Sequence, residues 1–191
     1  MSRVFAWAVA LAVVSACSPK FDWREVRSSA DAYAVALPGK PQIITRDLEL
    51  PLAAGSQKVS MTMTSAGVGA TMFAVGAAHL PAGVTQDAAA VQSTMAFFRD
   101  GLLRNIGVTG PIQEAPPVAL AVAQGKVRGA TSFEAHGHLG RPGEKSAPAR
   151  LAARIYVVDD RFYQIVAMGS ADDLPDNELE TFFMSFHLTA Q

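Results

Sequence analysis

The chain has 191 residues, half of them apolar, and a formal net charge of −1 from 16 basic and 17 acidic side chains. That length suits one domain with a sizeable core rather than two, and the balanced charge leaves no basic excess to neutralise the phosphates of a nucleic acid. Charged residues make up only 17% of the chain, yet its apolar content and regular patterning argue against a disordered polymer.

The first element in chain order is an address. Met1-Ser2-Arg3 is followed by an apolar run from Val4 to Val14 and then by small residues before Cys17, the layout of a signal peptide. The run is too short for a spanning helix, which needs about 20 apolar residues. Val14-Ser15-Ala16-Cys17 resembles the lipobox of bacterial lipoproteins, with Val14 where Leu is usual. The resemblance implies cleavage after residue 16 and lipidation of Cys17, the only cysteine. A lone thiol in an exported chain has no internal disulfide partner, which fits the same reading. Ser18, in place of the Asp that commonly retains such proteins at the inner membrane, favours an outer-membrane lipoprotein facing the periplasm. Residues 17–20 are then a lipidated tether, and residues 21–191 the single α+β domain.

Tyr33, Val35 and Leu37 alternate with alanines before Pro38-Gly39, the period of a half-buried strand closed by a turn. Ile43–Leu50 and Lys58–Ser65 form a hairpin across Pro51–Ser56, and a further strand runs from about Ala70 to Ala78. From Thr85 to Ile106 the period changes, with Val91, Met95, Phe98, Leu102 and Ile106 on one face of an amphipathic helix. Thr85 is the expected cap, and Asn105 with Gly107 the expected stop. Strand character returns at Val118–Val122, Lys126–Leu139, Ala149–Asp159 and Arg161–Met168.

Asp159-Asp160 fits a two-residue hairpin corner. With that register Val157 opposes Phe162, and Ile155, Ala153 and Leu151 oppose Gln164, Val166 and Met168. After Leu174-Pro175, the spacing of Leu179, Phe182, Phe183 and Phe186 gives a closing helix. The expected fold is α+β: a mainly antiparallel sheet with a long helix and a C-terminal helix packed on it.

Phe21-Asp22-Trp23-Arg24-Glu25-Val26-Arg27 with Tyr33–Pro41, and Arg161–Ala167 with Phe182–Phe186, resemble segments of a group of small, uncharacterised proteobacterial lipoproteins. These end motifs and the order of elements between them are also loosely similar to the Mog1/PsbP-like α/β/α sandwich. Members of that fold bind a small GTPase, support photosystem II or have no known role, so the resemblance implies a fold and carries no function.

The sharpest chemical constellation is His136-Gly137-His138. Residues two apart share a strand face, and that face also carries Glu134, so two imidazoles and a carboxylate could hold a divalent metal. A solvated strand face explains the same residues without metal. Met61, Met63 and Met72 could offer thioethers to copper(I), although methionines more often fill core gaps. Asp159, Asp160, Asp172, Asp173, Asp176 and Glu178 read as turn and capping acids. Phe21 and Trp23 could touch lipid headgroups, or pack under the first strand.

No phosphate loop, nucleophile elbow or zinc-protease helix is present, and no cofactor is implied. The expected role is non-catalytic: an envelope domain, held to the membrane through Cys17, that binds a protein partner or supports an assembly. The alternative is a periplasmic carrier of a small molecule or metal, and an enzyme comes third. An apolar cavity would favour the carrier, and a flat apolar patch the partner.

Overall fold

The computed structural model describes residues 20–53, 55–108, 110–116, 118–120, 125–139 and 147–190. Cys17 and the lipobox lie outside these residues, as do Ala121 and Val122. In chain order the elements are β1 (Trp23–Ser28), β2 (Tyr33–Pro38), β3 (Gln42–Leu52), β4 (Gly55–Val68), β5 (Thr71–His79), α1 (Ala82–Thr85), α2 (Ala88–Asn105), β6 (Gln113–Ala115), β7 (Val127–Leu139), β8 (Ala147–Val158), β9 (Arg161–Ser170), α3 (Asp176–Ser185) and β10 (His187–Leu188). The fold is α+β and mainly antiparallel, as the patterning predicts.

Seven strands form one sheet in the order β3-β4-β5-β9-β8-β7-β6, and β1-β2-β10 form a second, smaller sheet. The large sheet is buried on both faces, and strand alternation divides its side chains between two cores. In β9, Phe162 and Val166 join the α2 side, whereas Tyr163, Ile165 and Ala167 join the side covered by β2 and α3. The β8–β9 hairpin has the expected register, Val157 facing Phe162 and Leu151 facing Met168. Asp159 at its corner takes a positive φ of 52°, a conformation that Asp tolerates better than most side chains.

The α2 stripe is as predicted: Val91, Met95, Phe98, Leu102 and Ile106 are all buried. The cap is not. Residues 82–85 form the separate short helix α1, and Asp87 caps α2 by accepting the Ala89 amide at 2.9 Å. Thr85 instead donates to the Ala82 carbonyl within α1. Gly107 is left-handed with φ 47°, as expected, whereas Asn105 ends the helix. The strand expected at Val118–Val122 is also displaced. Residues 118–120 are not strand, and the edge partner of β7 is the short β6.

Leu179, Phe182, Phe183 and Phe186 are buried against β2 and the large sheet, so the closing helix is part of the core. Phe21 and Trp23 stack on each other and meet Phe73 edge-on, and the Trp23 indole donates to Glu178 at 3.0 Å. These aromatics pack rather than project. No helix of the described residues is long and apolar enough to cross a membrane.

Candidate functional site

On the α2 side of the sheet, one row of side chains crosses five strands. Ile44 faces Met63, Met63 faces Gly76, Gly76 faces Gln164, and Gln164 faces Ile155. Facing residues point to the same side of a sheet, so a polar amide sits mid-row among apolar neighbours. Gln164 is only 6% exposed. Its amide nitrogen reaches the Met63 sulfur at 3.8 Å, a weak acceptor, and its Oε1 is buried with no hydrogen-bond partner. A buried acceptor left unpaired costs stability, and of the three such atoms among the described residues, only this one belongs to a cleft-lining residue.

The cleft lies between α2 and the β3–β4 hairpin and has a volume of about 340 Å³, at the small end of the range for small-molecule sites. Phe97, Phe98 and Leu102 form its helix wall, Leu48, Met61 and Met63 its hairpin wall, and Gln164 lines it from β9. Ile44, 46% exposed, extends the same apolar side toward the sheet edge.

Two glycines give the cleft its shape. A Cβ at Gly76 would stand 2.7 Å from the Met63 sulfur, 2.9 Å from Gln164 Cγ and 3.2 Å from the Met61 sulfur. A side chain there would therefore drive all three out of their places. Gly101, in the interior of α2, is different. A Cβ there would meet nothing nearer than an Arg104 guanidinium nitrogen at 3.7 Å, ordinary contact distance. Packing does not demand a glycine at that point, and a helix-interior glycine costs about 1 kcal/mol relative to alanine. What its small size does is keep the helix wall low where it borders the cleft.

Arg46 on β3 and Arg104 on α2 line the same cleft, and both are exposed. Neither has an ion-pair partner among the described residues, since the neighbouring Asp47 pairs with Lys58 at 2.8 Å. Two unpaired guanidiniums beside apolar walls make a site complementary to an amphipathic anion.

Of the shifted titrating groups only Asp47, lowered by its bond from Lys58, and Lys58, raised by the same bond, lie on the β3–β4 hairpin, and neither lines the cleft. Burial raises the Tyr33, Tyr156 and Tyr163 hydroxyls. A hydrogen bond from His79 lowers Asp160. Burial works to lower the Arg150 pKa, but its bonds to Glu134 and Asp176 outweigh that and raise it. A second hollow, of about 300 Å³, is lined by His79, Asp159, Asp160 and Tyr163. Its polar groups are engaged within the fold: Asp160 with His79 at 3.1 Å, Asp159 with the Lys126 amide at 3.0 Å, and the Tyr163 hydroxyl with the Asp31 carbonyl at 2.7 Å.

His136 and His138 are exposed and share the strand face with half-buried Glu134, as the period predicts. The Glu134 carboxylate is taken by Arg150, which donates to it at 2.7 and 3.1 Å and also reaches Asp176 at 2.6 Å. Among the described residues no group of three or more His, Cys, Asp or Glu side chains is placed to hold a metal ion. Met61 is buried and Met63 half-buried beside it, while Met72 faces Gly67 and Met168 farther along the sheet. Asp173 pairs with Lys20 and Asp176 with Arg150, which ties the terminal acids to other elements.

No family model matches the chain, and no curated protein matches it. Arg46, Gly76, Gly101, Arg104 and Gln164 were not singled out by the sequence as site residues. The available signals were a glycine mid-helix, a glycine mid-strand and one amide in an otherwise apolar run.

Proposed function

We propose that this protein is a lipid-anchored envelope protein whose domain carries a small amphipathic anion in the cleft between α2 and the β3–β4 hairpin. The supporting observation is the pairing of two unpartnered arginines with an apolar cleft that Gly101 keeps open. Under this reading the domain binds and does not catalyse, the anchor is Cys17, and the site is periplasmic. The Mog1/PsbP-like character of the α+β fold is part of the same proposal.

Two experiments test it. Replacing Cys17 by Ser should abolish acyl labelling of the chain, and unchanged labelling would sink the anchor. For the cleft, a diazirine-tagged dodecanoate should label the full-length protein in nanodiscs, with labelled peptides from β3, β4 and α2. Gly101→Leu should fill the cleft and suppress that labelling while the protein stays folded. Arg46→Gln with Arg104→Gln should weaken it by up to about fivefold per exposed charge. Labelling elsewhere, or labelling indifferent to Gly101→Leu, rejects the carrier.

A second reading, an assembly partner, is favoured by the edge strand β3. Among the described residues it pairs only with β4, and it exposes Ile43 at 65%. Such an edge accepts an added strand.

A further inference from the structure

We infer that the cleft selects, among amphipathic acids, those that carry a hydroxyl or amide N–H on their apolar body, and that Gln164 is the residue that reads this donor. The inference rests on the carrier reading and deepens it.

Leu48, Phe97, Phe98 and Leu102 would accept any apolar chain, and two guanidiniums would accept any anionic head. Neither feature explains an amide on the central strand of the large sheet, where every other α2-side position of β9 from Phe162 to Met168 is apolar. An apolar residue would fill this place without leaving an acceptor unpaired. The amide is also prepared for its position: Gly76 provides the space into which Gln164 Cγ and the Met63 sulfur settle from either side.

The oxygen lacks a donor, and the one bond the amide makes is to a thioether. Methionine turns easily about its side-chain torsions, so Met63 can swing aside and open the amide to a group entering the cleft. The chemistry that completes Oε1 is an O–H or N–H donor. A carboxylate cannot supply one, so the anionic head belongs with Arg46 and Arg104, and the donor belongs on the chain.

The test is competition against the diazirine-tagged dodecanoate on full-length protein in nanodiscs, using dodecanoate and β-hydroxydodecanoate. The two acids partition differently into lipid, so the reading is the ratio of their half-competing concentrations in the parent against the same ratio in Gln164→Met. One hydrogen bond corresponds to a shift of roughly three- to tenfold in that ratio in favour of the hydroxylated acid. Gln164→Met should erase it, still bind plain dodecanoate, and melt no lower than the parent when unliganded, because an unpaired buried acceptor has been removed.

Equal ratios in parent and variant overturn the donor inference and leave the carrier standing. A large fall in the melting temperature of Gln164→Met makes Gln164 a structural residue and overturns the inference as well. If neither acid displaces the tagged probe, the carrier reading falls, and the inference with it.

Discussion

The two faces of the large sheet are built from different materials. The face covered by β2 and α3 is filled mainly with aromatic rings and keeps only a smaller hollow, about 190 Å³, beside Tyr156, Ile165 and Phe183: Phe73 packs against Phe182, and Tyr33, Tyr163 and Phe186 pack against one another. Tyr33 also closes its hydroxyl onto Thr64 at 3.0 Å. The α2 face has Phe98 stacked on Phe162, but toward the hairpin it changes to methionine, glycine and a lone amide, and there the cleft opens. Rigid rings fix one arrangement and leave little room to repack. Thioethers and missing side chains leave room that can be re-used. Stability and adaptability are thus divided between the faces of one sheet.

The largest expected effect tests the ring-packed face. Phe182→Ala should cost about 3–5 kcal/mol in urea unfolding, whereas Phe97→Ala, at the half-buried edge of the cleft, should cost less than half as much. Equal losses would erase the distinction. Next in size is the polar tie that joins β7, β8 and α3. Arg150→Met strands the Glu134 carboxylate and frees the Leu174 carbonyl, and should cost about 1–3 kcal/mol in the same assay.

Gly101→Ala should move the other way, stabilising by about 1 kcal/mol through helix propensity alone. A destabilising result would mean that Gly101 serves packing rather than the cleft. The smallest effect lies at the β8–β9 corner. Because the hydrogen bond from His79 holds the Asp160 carboxyl low, the pair adds stability above the carboxylate range. That contribution drains as pH falls below about 4 toward the lower folded value. Both groups are largely exposed, so Asp160→Asn should flatten the acid limb of the stability curve by about 0.5 kcal/mol.

Where one local rule decides an element, the sequence was enough to read it. The β8–β9 register followed from period-two alternation around a two-residue corner, and the α2 stripe from its three- and four-residue spacing. Asp87 was overlooked as the cap because residues 82–85 form a helical turn of their own, which makes the boundary look earlier. Strands β1 and β10 were not read as strands: Arg24, Glu25 and Arg27 give an edge strand little apolar period, and two residues give β10 none. The cleft was hidden for a different reason. Its residues come from β3, β4, α2 and β9; only the packing of α2 beside the hairpin brings Arg104 to the cleft that Arg46 lines, and only sheet order brings Met63 near Gln164. Gly101 is informative only once packing is seen not to need it.

The sheet order also has a temporal consequence. Strand β9 joins β5 on one side to β8 on the other, and it places Phe73 beside Ala167 across about half of the chain. Until residues 161–170 have been made, β3-β4-β5 and β6-β7-β8 are two separate ladders, each able to meet α2 but with no strand between them. Pairings so distant in sequence close late and slowly. A growing chain therefore cannot close its large sheet until β9 has emerged, so the two ladders wait for the one strand that both of them need.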